Sequence, residues 1–189
     1  MKKLLTLPNI LTSLRILGAA CMLFMSPMTG WFFAVYTFCG ASDVLDGVIA
    51  RARHTESELG AKLDSVADLL FYAAMIIRIF PVLWERLPRI IWIFVLLVLL
   101  LRSGAYLTAA VRYHRFASMH TYLNKLTGFG VFMIPYFISG SLGVVYCFVA
   151  CAVGGIASAE ELAIHLLSPQ YTPGVKTIFD LRRRSASEK

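Results

Sequence analysis

The run IIWIFVLLVLLL (residues 90–101) opens the most apolar segment of the chain, residues 90–110. About 20 apolar residues are what an α-helix needs to cross the hydrocarbon core of a bilayer. Of the 189 residues, 58% are hydrophobic and 15% are charged, whereas a soluble domain carries roughly 25% charged residues. A single domain of this size cannot hide so much apolar surface from water. The composition therefore predicts an integral membrane protein.

Five further apolar segments lie on either side of this run, separated by turns rich in Pro, Gly and Ser or by charged connections. The fold class that they predict is all-α and polytopic, with six transmembrane helices in a single domain, residues 1–189. Pro81 is expected to end the third helix. Ser158 to Glu161 is expected to cap a last stretch that either lengthens the sixth helix or lies on the membrane surface. The expected spans are 11–25, 31–50, 60–80, 90–110, 126–138 and 142–157.

The net charge of +7 is unevenly distributed along the chain. Basic residues sit at the ends of the apolar segments, where they indicate membrane orientation and contact with lipid headgroups rather than nucleic acid. An even number of spans places both termini on one side, and the positive-inside rule makes that side the cytoplasm. The basic residues assigned to it are Lys2, Lys3, Arg51, Arg53, Lys62, Arg112, Arg115, Lys125 and Arg182 to Arg184.

Four of the five aspartates of the chain fall between residues 43 and 68. Asp43 and Asp46 are three residues apart, and Asp64 and Asp68 are four apart, so each pair lies on one face of its helix. The two helices flank a short polar connection, and we expect them to be antiparallel neighbours whose carboxylates converge near the membrane surface. Charged groups in apolar segments are energetically expensive and usually mark function.

Carboxylates at close range repel one another unless a cation neutralises them. A ligand set made only of oxygen suits Mg²⁺, Mn²⁺ or Ca²⁺ and disfavours zinc. Gly47, Ala50 and Gly60 leave room for a bulky ligand near the backbone, and Arg51 offers a fork that matches phosphate oxygens. Together these residues predict a site for a pyrophosphate group. Aspartates that only pair helices or line an ion pathway are the structural alternative.

The stretch DVLDGVIARARHTESELGAKLDSVAD (residues 43–68) reads D-x2-D-G-x2-A-R-x8-G-x3-D-x3-D. It resembles the signature of the CDP-alcohol phosphotransferases, with all eight fixed positions filled. The resemblance implies a six-helix membrane fold, a homodimer, an active site on the cytoplasmic side, and Mg²⁺ or Mn²⁺, with two ions expected. By motif position the metal ligands would be Asp43, Asp46, Asp64 and Asp68, the CDP-binding residues Gly47, Ala50, Arg51 and Gly60, and the general base Asp68.

The reaction that the resemblance implies belongs to phospholipid biosynthesis. A phosphatidyl group would pass from CDP-diacylglycerol to an alcohol, with CMP released. The opening LPNILTSLR (residues 7–15) looks like that of bacterial phosphatidylglycerophosphate synthases and related cardiolipin synthases. The bacterial cytoplasmic membrane is therefore the expected location, and glycerol 3-phosphate is the expected acceptor. Asn9, Thr12 and Arg15 are predicted to lie beside the nucleotide, with helix capping as the alternative for Asn9 and Thr12.

A basic stretch near residues 112–125 is the expected binding region for an anionic acceptor. Its candidates are Arg112, Arg115 and Lys125, with His120 in addition; topology and headgroup contact are the alternative explanation. The segment HTYLNKLTG (residues 120–128) departs from the G-K-x-K-T pattern expected of the glycerophosphate enzymes. Phosphatidylglycerol, serine and inositol phosphate therefore stay open as acceptors.

Two functions of other classes also use membrane carboxylates. A membrane prenyltransferase also uses aspartates and Mg²⁺ to bind a pyrophosphate. It would need more spans and two separated aspartate-rich motifs. A transporter or cation channel would not require a phosphate-matching arginine such as Arg51 beside the carboxylates. Metal-dependent release of CMP from CDP-diacylglycerol separates the expected enzyme from both.

Overall fold

The computed structural model describes residues 7–52, 58–114, 121–168 and 176–181, without the side chains of residues 50, 51, 58, 59 and 61. No strand occurs in these ranges. Five of the six helices are long and apolar enough to cross a membrane, whereas α5 has only 16 residues. A sixth span and the orientation of the termini therefore stay predictions. The helices are α1 Leu7–Phe24, α2 Gly30–Ala52, α3 Glu58–Arg86, α4 Arg89–Tyr113, α5 Tyr122–Phe137 and α6 Gly143–Leu167.

One expected helix boundary is wrong, and one open alternative is resolved. The third helix does not end at Pro81 but continues to Arg86. A proline costs one backbone hydrogen bond, and a long membrane helix tolerates that loss where its neighbours take up the freed group. Ser158 and Glu161 do not cap a separate helix, because both are buried inside the continuous helix α6. The stretch up to Leu167 therefore lengthens the sixth helix.

The chain divides into two compact units, Met1–Arg86 and Leu87–Lys189. In the first unit α1 packs along both α2 and α3, which have few direct contacts with each other. The expected proximity of α2 and α3 is present, since the rings of Tyr36 and Phe71 lie 5.5 Å apart, but α1 lies along both helices. The reason lies in the sequence of α1, whose buried residues recur every three or four positions along one broad face. They are Pro8, Asn9, Thr12, Arg15, Ala19 and Met22.

The close approach of α1 to α2 depends on a glycine. A Cβ added at Gly18 would lie 2.7 Å from Sγ of Cys39 and 3.4 Å from Cγ1 of Val35. Because a real Cβ is essentially never found at the shorter distance, a larger residue at position 18 would require the Cys39 side chain or the two helices to shift. Gly18 lies about one turn from Arg15 on α1.

In the second unit α6 packs along both α4 and α5. Thr121 is the N-cap of α5, and its hydroxyl oxygen accepts a hydrogen bond from the backbone N–H of Asn124 at 3.2 Å. At the end of α6, the Tyr113 hydroxyl donates to the carbonyls of His165 and Ser168 at 3.2 and 3.1 Å. These bonds satisfy carbonyl groups that the last turn of a helix leaves without a partner.

Candidate active site

The four clustered aspartates meet around the guanidinium of Arg15. This side chain is fully buried, with 0% of its surface exposed. Its Nη1 lies 3.0 Å from Oδ1 of both Asp43 and Asp64 and also donates to Oδ1 of Asp68. Its Nη2 donates to Oδ2 of Asp46. The convergence expected from the sequence is therefore present, but an arginine from a third helix stands at its centre.

The local sequence explains how three helices supply one cluster. The three-residue and four-residue spacings place one pair of carboxylates on a single face of α2 and the other on a single face of α3. Arg15 lies on the buried face of α1, which packs against both helices. Since its planar fork carries five N–H donors, it can bond to carboxylates from both sides at once.

Asp46 differs from the other three aspartates in its surroundings. Its side chain is 5% exposed, whereas those of Asp43, Asp64 and Asp68 are 35–43% exposed. The Thr12 hydroxyl donates to Oδ2 of Asp46 at 3.1 Å, the same oxygen that accepts from Arg15. Asp46 is thus enclosed and hydrogen-bonded within the protein, while the other three carboxylates are open to a ligand.

The three open aspartates fit a divalent cation. Asp43, Asp64 and Asp68 each offer one carboxylate oxygen, and these three oxygens lie within 4.8 Å of one another. Hard cations such as Mg²⁺ and Mn²⁺ prefer ligands of this chemistry. Within the described part of the chain this is the one group of metal-binding side chains, and Asp46 is outside it. A ligand role for Asp46 stays a prediction.

The residues predicted to bind CDP lie near the helix ends that face the connection between α2 and α3. Gly47 is in the last two turns of α2, and Gly60 is in the first turn of α3. The backbones of Ala50 and Arg51 are helical, and their side chains fall outside what the structure describes. All four residues are close to the aspartates along the chain and have helical backbones. Their contacts with a nucleotide stay predictions.

The opening of α1 contributes to the site through two side chains. Thr12 donates to the carbonyl of Pro8 at 3.0 Å and to Asp46, so it is a buried partner of the carboxylates and not a helix cap. Arg15 was expected beside the nucleotide and is found among the aspartates. Asn9 lies on the same buried face, with 7% of its surface exposed. A contact between these residues and a nucleotide is untested.

The acceptor candidates belong to the second unit. Arg112 donates from Nη1 to the carbonyl of Leu166 at 2.8 Å, a contact that caps the end of α6. Lys125 is exposed in the first turn of α5. Arg115 and His120 lie outside the described residues. An acceptor role is therefore untested for all four, and Arg112 already has a structural function.

A second buried polar cluster escaped the sequence reasoning. Glu161 on α6 is fully buried, and its Oε2 accepts from Nδ2 of Asn124 at 2.9 Å and lies 3.7 Å from Nη2 of Arg102. Arg102 also donates from Nη1 to Oδ1 of Asn124 at 3.1 Å. The signal was present, because Arg102 and Glu161 are charged residues within apolar helices, the same criterion that singled out the aspartates.

The whole chain can be compared with known proteins. Residues 5–156 match the CDP-alcohol phosphatidyltransferase family. A Mycobacterium tuberculosis protein named provisionally as a cardiolipin synthase is 30% identical over 159 residues, which cover 80% of this chain and 73% of that relative. A Streptomyces coelicolor cardiolipin synthase (CMP-forming) is 35% identical over 111 residues, or 54% of this chain and 48% of that protein.

A third relative carries a different name. The CDP-diacylglycerol–glycerol-3-phosphate 3-phosphatidyltransferase of Cereibacter sphaeroides is 41% identical over 69 residues, which cover 33% of this chain and 31% of that enzyme. No solved structure matches the chain significantly. The family match covers most of the chain, including all four aspartates around Arg15 and five of the six helices in full. This apolar, all-helical chain therefore belongs to the CDP-alcohol phosphatidyltransferase family and is a transferase of substituted phosphate groups.

Proposed function

We propose that this enzyme transfers a phosphatidyl group from CDP-diacylglycerol to glycerol 3-phosphate, releasing CMP and forming phosphatidylglycerophosphate. The observation that carries the proposal is the convergence of all four signature aspartates around one buried arginine. The active site faces the cytoplasm of a bacterium in this proposal, and the enzyme is a homodimer. The family match supports the phosphatidyl transfer, and the excess of basic residues on one side of the expected six-span topology supports the cytoplasmic orientation.

The donor half of the reaction depends on the open carboxylates. Asp43, Asp64 and Asp68 would hold Mg²⁺ or Mn²⁺, with Asp46 as the fourth signature carboxylate and two ions in all. When bound, such ions neutralise pyrophosphate oxygens and stabilise the departing CMP. The protein itself supplies room at the glycines of the motif and a guanidinium fork at Arg51 for the phosphates.

The acceptor half requires a base near the attacking hydroxyl. The hydroxyl oxygen forms a bond to the lipid-linked phosphorus, the phosphorus–oxygen bond to CMP breaks, and the hydroxyl proton passes to Asp68. A base must lie within hydrogen-bond reach of the proton that it takes. Asp68 is the signature aspartate farthest from the polar connection, and its side chain is 35% exposed, so a hydroxyl can approach it.

Phosphatidylglycerol is the second candidate acceptor, which would make cardiolipin the product. Two relatives, which match 80% and 54% of this chain, are named cardiolipin synthases, the first of them provisionally. Asn124, in the segment where the glycerophosphate enzymes are expected to carry lysines, is committed to Glu161 and Arg102. The segment HTYLNKLTG has one lysine where the expected G-K-x-K-T pattern has two, which favours an acceptor less anionic than glycerol 3-phosphate.

A direct assay separates the two acceptors. Purified enzyme receives CDP-diacylglycerol and Mn²⁺ or Mg²⁺ with glycerol 3-phosphate, phosphatidylglycerol, serine or inositol phosphate, and both CMP and the lipid product are measured. Phosphatidylglycerophosphate supports the first proposal, and cardiolipin supports the second. CMP release that no acceptor stimulates would contradict the proposed transfer, and a preparation of the Asp68→Asn variant controls for contaminating enzymes.

Replacing Arg51 by alanine is expected to raise the KM for CDP-diacylglycerol by about tenfold or more, because a charge-assisted hydrogen bond to phosphate is lost. The KM for the acceptor should change much less. Steady-state kinetics with each substrate varied in turn measure both constants. Arg53→Ala is the matched control, since it removes an equal charge two residues after Arg51, at a variable position of the motif. An unchanged KM for the CDP-lipid would remove Arg51 from the nucleotide site.

A further inference from the structure

Arg15 makes more contacts with acidic groups than any other described side chain, and the signature of the family does not include it. We propose that Arg15 is an internal cation that holds the four aspartates together before a divalent cation binds, and that it competes with this cation for their oxygens. The proposal rests on the divalent-cation site proposed above. Helix α1 has no carboxylate, but through Arg15 it would nevertheless influence metal binding.

The first argument is electrostatic. Four carboxylates face a single guanidinium, which stays charged at every pH at which the protein is folded. Arg15 is fully buried, so its guanidinium is shielded from water, although three of the carboxylates are partly exposed. Close carboxylates without a counter-ion repel one another strongly in a medium less polar than water. Arg15 therefore provides the attraction that keeps α2 and α3 drawn towards α1 at this level of the bundle.

The second argument concerns the atoms that are shared. Nη1 of Arg15 contacts Oδ1 of Asp43, Asp64 and Asp68. The same three residues form the group whose oxygens can surround a metal ion. A guanidinium nitrogen and a divalent cation both carry positive charge, so they cannot bond fully to the same oxygens at the same time. Binding of the cation must weaken the bonds of Nη1.

The third argument is that Arg15 has other partners to keep it in place. Its Nη2 bonds to Asp46, and its Nε donates to Oγ of Ser42 at 3.4 Å. Both residues lie on α2, and neither belongs to the group of three carboxylates that can surround a metal ion. Asp46 is further held by Thr12. The enclosed Asp46 thus keeps its bond to the arginine, whereas the three open aspartates exchange the arginine for the cation.

Binding of Mn²⁺ to purified protein tests the competition directly. Free Mn²⁺ is followed by electron paramagnetic resonance in the wild type, in Arg15→Gln and in Arg15→Lys. We expect the glutamine variant to bind Mn²⁺ at least about tenfold more tightly, because a repelling charge has been removed. The lysine variant keeps the charge and should bind within about threefold of the wild type. Equal or weaker binding by the glutamine variant would overturn the proposal.

Thermal unfolding with EDTA provides the second readout. The wild type should stay folded in EDTA, whereas Arg15→Gln should lose about 10 °C of Tm in EDTA and regain most of it with Mn²⁺. If the variant cannot be purified, the wild type still decides, because unfolding or aggregation on chelation would refute an internal cation. A wild type that binds no Mn²⁺ would remove the metal site together with this proposal. Normal Mn²⁺ binding without tightening in the variant would remove the role of Arg15 alone.

Discussion

Asp68→Asn is expected to slow CMP release from CDP-diacylglycerol by about a thousandfold, since a positioned general base contributes roughly 10²–10⁴ in rate. Asparagine preserves the size of the side chain and one oxygen, but it cannot accept the proton of the acceptor hydroxyl. Two carboxylates of the open group and both glycines of the signature remain in this variant. It should therefore still bind Mn²⁺ and the CDP-lipid. The kcat should therefore fall while the KM for the CDP-lipid changes little.

Two further variants make this result specific. Glu85→Gln removes one exposed carboxylate from the other end of the same helix and should retain wild-type turnover. Asp64→Asn removes a carboxylate of the open group and should weaken Mn²⁺ binding as well as turnover. Near-normal turnover in Asp68→Asn would exclude it as the base. Loss of Mn²⁺ binding equal to that of Asp64→Asn would reduce its role to metal binding.

Much of the fold follows from the sequence, because an apolar helix in a bilayer must satisfy its own backbone hydrogen bonds. Six apolar segments therefore correspond to six helices. Helix ends were less predictable where local signals conflicted with the surroundings. Pro81 is a strong helix breaker in water, yet α3 continues for five residues beyond it. Ser158 has the chemistry of a cap, but it lies fully buried within a helix.

The candidate site was predictable to the extent that it depends on local spacing. The aspartate pairs follow helical periodicity, so their presence on one face of each helix needs no tertiary information. The position of Arg15 does need it, because only the packing of α1 along both α2 and α3 brings this residue to the carboxylates. The sequence pattern predicted that a cation would neutralise them, and the described structure provides an arginine in that position.

The second buried cluster gives the largest expected effect on stability. Glu161→Ala should lower the free energy of unfolding by about 3 kcal/mol, since removing one partner of a buried ion pair leaves the other uncompensated. The guanidinium of Arg102 and the amide of Asn124 lose a partner in this variant, and Nε2 of the buried His165 loses the carboxylate oxygen 3.9 Å away. Denaturant or thermal unfolding of the purified protein in detergent measures the change. Glu161→Gln, which retains an acceptor oxygen for Asn124, should lose only about half as much.

A double variant separates the ion pair from the packing of α4 against α6. Replacing a complete buried ion pair with apolar residues of similar size is often neutral, whereas breaking it on one side is costly. Glu161→Leu combined with Arg102→Met should therefore be more stable than Glu161→Leu alone. Simple addition of the two single effects would show that Arg102 and Glu161 do not interact, despite the 3.7 Å between Nη2 and Oε2. Recovery of the free energy of unfolding in the double variant would instead show that the ion pair adds little net stability and mainly orients its two side chains. The ion pair would then serve to hold the Arg102 side chain, which is 27% exposed, in one fixed orientation.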